Sequence, residues 1–173
     1  MSDNSHVGIE IERKYIIEMP EARLMESCAG YSKSEILQIY LTSPRGITHR
    51  IRKRVTDGKA SFYETKKVRI DKCSSEELER ELSEAEFFDL SKRRAEDSRP
   101  IKKVRHSFLY LGQLFEVDIY SEWSRTCILE TELSSRDKWV IFPTFLRVVR
   151  EVTGVKGYSN AAMSRAFPKE DGV

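Results

Sequence analysis

The chain has 173 residues, 30 Lys and Arg against 28 Asp and Glu, and a net charge of +2. Its 8 Phe, 7 Tyr and 2 Trp argue against disorder, the balanced charge argues against wholesale binding to nucleic acid or a membrane surface, and no apolar run approaches the ~20 residues of a membrane span. Three widely spaced cysteines (Cys28, Cys73, Cys127) read as free thiols in a reducing compartment, and no secretory leader is visible, so the expectation is a single cytoplasmic domain over 1–173 with its core at about 8–167.

The dominant periodicity is two. Strands are expected over 8–17, 35–42, 46–54, 59–70, 75–82, 102–111, 113–121 and 127–133, with Asp57-Gly58 and Gly112 as hairpin turns. Short helices are expected within 20–30, over 84–96, and over 159–166 with Ser159 or Asn160 as cap. A longer one is expected over 136–152, interrupted at Pro143. Eight strands joined mostly by short turns favour an antiparallel meander.

Side chains alternate between the two faces of a strand. One face collects Glu10, Glu12 and Lys14; Arg50, Arg52 and Arg54; Glu64 and Lys66; Glu77 and Glu79; Lys103 and Arg105; Glu116 and Asp118; Glu130 and Glu132. The other collects Ile9, Ile11, Tyr15, Ile51, Val104, Phe115, Val117, Ile119, Leu129 and Leu133. A charged face is ordinarily just the solvated one. Here, however, long acids and bases are segregated by strand. Closing the sheet with charges inward explains this: it gives a wet channel whose bases suit phosphate oxygens and whose acids suit a hard divalent cation.

At these residues the sequence resembles the CYTH family, the triphosphate tunnel metalloenzymes. The resemblance starts at Glu10-x-Glu12-x-Lys14 and continues through Gln38-Ile39-Tyr40, Arg50-x-Arg52, Glu64-Thr-Lys66, Glu77-x-Glu79, Lys103-x-Arg105, Glu116-x-Asp118, Glu130-x-Glu132 and Lys156-x-Tyr158-x-Asn160. It implies a mainly β, α+β fold: an eight-stranded antiparallel closed barrel with a few flanking helices. It implies metal, Mg²⁺ or Mn²⁺, on Glu10, Glu12, Glu130 and Glu132. It implies triphosphate on Arg50, Arg52, Lys66, Lys103, Arg105 and Lys156, a catalytic pairing of Lys14 with Tyr40, and Glu77, Glu79, Glu116 and Asp118 as further tunnel acids. Three positions depart from the family pattern: Ile39 for Gly, Glu64 for Thr, and Gly157 for a basic residue.

The function implied is metal-dependent hydrolysis of a triphosphate, inorganic tripolyphosphate first. Open alternatives are a class IV-type adenylate cyclase, a thiamine or nucleoside triphosphatase, and a non-catalytic polyphosphate-binding module. The expected partner is the small-molecule triphosphate, without nucleic acid or membrane; a homodimer stays open. No P-loop or GxSxG motif is present. His6, His49 and His106 have no metal-ligand spacing, and Trp123 and Trp139 read as packing residues.

Overall fold

The structure, a computed structural model, describes residues 6–170. Nine strands are formed: β1 (His6–Glu18), β2 (Ala29–Tyr40), β3 (Ile47–Thr56), β4 (Lys59–Arg69), β5 (Ser74–Leu82), β6 (Ile101–Tyr110), β7 (Gln113–Ile119), β8 (Thr126–Glu132) and β9 (Val148–Glu151). Three short helices accompany them: α1 (Ala22–Glu26), α2 (Glu84–Ser91) and α3 (Asn160–Met163), the last preceded by a 3-10 turn at Lys156–Tyr158. The sheet runs β5-β4-β3-β2-β6-β7-β8-β1, and β1 also pairs with β5. The result is a closed eight-stranded antiparallel barrel, with β9 added outside on β1. No helix among the described residues is long and apolar enough to cross a membrane.

Turn chemistry fixes the meander. Asp57 and Gly58 both take positive φ (50° and 75°), as a two-residue hairpin requires, and Leu111-Gly112 repeats the geometry at 49° and 74°. Ser83 caps α2 reciprocally: its hydroxyl accepts from the Glu86 N–H, and the Glu86 carboxylate accepts from the Ser83 N–H. The Ser159 hydroxyl caps α3. The three cysteines are free thiols.

The apolar side chains lie outside the barrel wall, so other parts of the chain must cover them. Tyr15, Phe108, Phe115, Val117 and Leu129 are covered by Val140, Phe142, Phe145 and Leu146. Ile39, Leu41, Ile51 and Leu82 are covered by Phe87 of α2. Beyond Lys14, Lys103, Asp118 and Glu130, the inward rows end in Ile16, Ile101, Tyr120 and Ile128. These pack with Trp123, Val152 and Met163 and fill that end of the barrel.

Several expectations are corrected. No helix forms over 136–152. Residues 136–147 are irregular, and only β9 follows. Pro143 cannot continue a helix, and the stretch instead lays alternate side chains, Val140 and Phe142, onto the barrel. This alternation turns Trp139 outward, 89 % exposed, so it is not a packing residue. The helix expected over 84–96 stops at Ser91, and the one over 159–166 spans four residues. Near the end of the described residues Glu170 is anchored: its carboxylate accepts from the Ser124, Arg125 and Thr126 N–H groups. The side chain of His6 lies outside the described residues.

Phe115 is fully buried under Phe142. Phe115→Ala is expected to cost about 3–5 kcal/mol, read from urea denaturation.

Candidate functional site

The barrel encloses a cavity of about 1040 Å³. Its lining includes Glu10, Glu12 and Lys14 of β1, Arg50, Arg52 and Arg54 of β3, Glu77 and Glu79 of β5, Lys103 and Arg105 of β6, Glu116 of β7, and Glu130 and Glu132 of β8. Tyr40 also lines it, and Lys156 reaches it from the C-terminal segment. The period-two reading therefore brings together nearly all the residues it named.

Strand β4 is the exception. The Asp57-Gly58 turn pairs Arg54 with Ser61, Arg52 with Tyr63, Arg50 with Thr65 and Thr48 with Lys67. Directly opposed residues share a face, so Tyr63, Thr65 and Lys67 point inward. Lys66 is exposed on the outer face and cannot grip a ligand in the lumen. Glu64 also faces outward, where it meets His49 Nε2 at 2.6 Å and Arg80 Nε at 2.6 Å. With β4 in this register, the family's T-x-K reads Thr65-x-Lys67 and the departure at Glu64 disappears. Ile39 likewise faces outward into the cluster under α2, which leaves Tyr40 free to face the lumen. The sequence reading missed Tyr63 and Lys67, although counting back from the hairpin turn would have found them.

The lumen has three electrostatic zones. In the deepest, Asp118 is fully buried behind the wall rather than exposed to the cavity. It accepts from Arg105 Nε and Nη2 at 2.7 Å each, and from Lys103 Nζ at 2.5 Å. Arg105 also reaches Glu130 at 2.5 Å and contacts Glu116. The other Glu130 oxygen meets Lys14 Nζ at 2.6 Å. Both Glu130 oxygens are thus held by cations, so the residue is a poor candidate for a metal ligand here. Burial works against the Lys14 ammonium, but Glu130 and Glu12 outweigh it and raise its pKa. Burial, together with Arg105, pulls Lys103 downward despite Asp118.

The second zone is the ladder of Arg50, Arg52 and Arg54 along β3. Arg52 Nη2 meets Glu79 at 2.9 Å, and Arg50 lies 3.8 Å from Glu77. The Nε atoms of Arg50 and Arg52 are nevertheless buried without a hydrogen-bond partner among the described residues. Tyr40 stands opposite Arg50 and accepts a hydrogen bond from Gln38 Nε2. Burial raises the Tyr40 pKa against the pull of Arg50 and Lys14. Among the described residues, the hydrogen-bond partners of the Tyr40 hydroxyl are Gln38 and Arg50 rather than Lys14.

The third zone is acidic: Glu10, Glu12, Glu77 and Glu132, with Lys67 among them at 2.5 Å from Glu77 and 3.3 Å from Glu10. One lysine does not neutralise it. Burial, then repulsion from Glu77, pushes Glu10 up to about 7. Burial, then Glu116 and Glu12, raises Glu132. Glu77 itself is held low, because Arg50 and Lys67 outweigh its burial. An all-carboxylate donor set under mutual repulsion fits a hard divalent cation in its chemistry. Among the described residues, no three His, Cys, Asp or Glu side chains already converge as a preformed metal cage.

No family model and no curated protein matches the chain. Solved structures do. The crystal structure of the inorganic triphosphatase NE1496 is 28 % identical, with a TM-score of 0.59 over 92 % of this chain and 96 % of that one. The PH1819 protein from Pyrococcus horikoshii OT3 matches at 19 % identity and a TM-score of 0.54, over 74 % of this chain and 80 % of that one, a likeness of fold alone. The barrel is closed and antiparallel, with opposed basic and acidic walls around its cavity. The fold and the likeness to NE1496 are consistent with the CYTH, or triphosphate tunnel, family.

Two expectations follow from the charge zones. Asp118→Ala strands Lys103 and Arg105 and should destabilise the fold by about 3–5 kcal/mol in chemical denaturation. Glu10 binds its proton more tightly when folded, so the metal-free protein loses stability as pH rises from 4.5 through about 7. Denaturation on either side of that window should show a smaller loss in Glu10→Gln.

Proposed function

We propose that the protein is a divalent-metal-dependent triphosphatase that hydrolyses a linear triphosphate, inorganic tripolyphosphate first, inside its barrel. One observation carries this reading. The buried Nε–H groups of Arg50 and Arg52 lack a hydrogen-bond partner among the described residues, and both side chains line the same cavity as an under-neutralised wall of carboxylates. A triphosphate with a divalent cation would satisfy both at once. The likeness to the inorganic triphosphatase NE1496 supports the same reading.

In this proposal Arg50, Arg52 and Arg54 grip non-bridging oxygens. Lys67 takes the place expected of Lys66, and Lys156 guides the polyanion at the mouth. Lys103 and Arg105, held in place by Asp118, line the deep wall as fixed hydrogen-bond donors at the inner end of the cavity. Glu10, Glu12 and Glu132 would hold Mg²⁺ or Mn²⁺, and when bound the ion draws charge from the phosphate oxygens and lowers the pKa of a bound water. Glu77 and Glu79 border the same space as water-positioning acids. The water oxygen bonds to the terminal phosphorus while the P–O bond to the bridging oxygen breaks. The electron pair leaves with diphosphate, and the water proton passes to a tunnel carboxylate. Lys14 is held as an ammonium by Glu130 and so serves as a phosphate cation rather than a base. Tyr40, protonated, presents a neutral donor beside Arg50.

Tripolyphosphate, ATP and thiamine triphosphate should each be supplied with Mg²⁺ or Mn²⁺, and phosphate and cyclic AMP measured. Phosphate from tripolyphosphate, abolished by EDTA, is the expected result; cyclic AMP as the main product would overturn the proposal. Glu12→Gln should lose metal-dependent turnover by 10² or more, and Arg52→Ala should act mainly by raising KM about tenfold or more. Full activity in either variant removes that residue from the site.

A further inference from the structure

The three arginines of the β3 ladder are braced differently. Arg50 lies 3.8 Å from Glu77, and Arg52 Nη2 donates to Glu79 at 2.9 Å. Glu79 is itself fixed by the fully buried Thr65, whose hydroxyl donates to the same carboxylate oxygen at 2.7 Å. Each of these two rungs therefore has a carboxylate beside it that offsets part of its charge. Arg54 forms no ion pair among the described residues. Its Nε–H donates instead to Ser34 Oγ at 2.9 Å, and Ser34 Oγ shares a hydrogen bond of 2.7 Å with Thr56 Oγ1.

Register puts the hydroxyls there. Ser34 stands directly opposite Thr56 across the β2–β3 ladder, and Arg54, two residues earlier on the same face, is its diagonal neighbour. Ser34 is 1 % exposed, and Thr56 is the last residue of β3, directly before the Asp57-Gly58 turn. A neutral hydroxyl fixes the direction of a guanidinium without cancelling its charge. With Nε committed to Ser34, the two Nη nitrogens form the free end of the fork. Neither has a hydrogen-bond partner among the described residues, and the side chain lines the cavity. A fork end with its charge intact suits the most highly charged part of a linear triphosphate. That part is a terminal phosphate, with a charge of about −1.5 to −2 near neutral pH, whereas an inner phosphate has a single ionised oxygen. We propose that Ser34 and Thr56 are positioning residues, which hold Arg54 as the uncompensated rung that receives a terminal phosphate of the bound triphosphate. This rests on the reading of the lumen as a triphosphate site. Both hydroxyls act through Arg54 rather than on the ligand.

Calorimetric binding of tripolyphosphate to the full chain in EDTA tests this without turnover. Ser34→Ala should raise Kd about tenfold, the worth of a hydrogen bond to a charged group. Thr56→Val should raise it in the same direction, and Thr56→Ser should keep wild-type affinity. In an Arg54→Ala background Ser34→Ala should cost nothing further, since no guanidinium is left to aim. Cyclic trimetaphosphate has no terminal phosphate, so wild type and Ser34→Ala should bind it within about twofold of each other. Under turnover, Ser34→Ala should raise KM and leave kcat close to that of wild type. Circular dichroism should report a folded barrel in each variant. A Ser34→Ala protein that binds tripolyphosphate like wild type, losses that multiply in the double variant, or equal losses on the linear and cyclic ligands overturn the proposal. A wild type that binds tripolyphosphate with these variant effects but never hydrolyses it overturns the triphosphatase reading and supports this one.

Discussion

The structure depends on one buried contact set: Asp118 holding Lys103 and Arg105, with Glu130 bridging Arg105 to Lys14. Charges inside a barrel are unstable unless each has a partner. This set supplies partners for three cations drawn from β1 and β6, and it ties those strands to β7 and β8. With the deep end balanced, the rest of the lumen can carry unbalanced charge. The arginine ladder and the carboxylate wall are therefore reactive where the core of the set is inert.

Turning charge inward forces apolar side chains outward, and this shapes the rest of the chain. The irregular 136–147 stretch, α2 and the C-terminal turn-helix pair have little regular structure of their own. Their task is to cover Phe115, Ile51 and Tyr120, respectively. A segment that covers a curved wall has no need of a helix's hydrogen-bond ladder, provided its alternate side chains reach the wall.

This division explains what could be read from the sequence. Strands whose two faces differ sharply, such as Glu10-Ile-Glu12 or Lys103-Val-Arg105, revealed both their conformation and their inward residues. β4 reads Glu64-Thr-Lys66-Lys67, with ionisable groups on both faces, so pattern alone placed it one residue out. The tight turn at Asp57-Gly58 carried the missing register. Residues 136–152 were misread because Val140, Phe142 and Phe145 fit a helical stripe about as well as an extended one, and only the wall they meet decides. The pairing of Glu130 with Lys14 and Arg105 depends on distances across strands that no linear spacing encodes.

The barrel closes where β1 meets β8 on one side and β5 on the other. The first strand made therefore waits for nearly the last before its edge is satisfied. On the ribosome β2 to β5 can zip as successive hairpins, while β1 stays half-paired until Thr126–Glu132 emerges. Closure is then a late event of high contact order, and it sets a slow folding rate. A chain released before β8 is complete would present the Ile9–Ile17 edge to whatever strand comes first, which makes early truncation a route to aggregation rather than to a smaller stable domain.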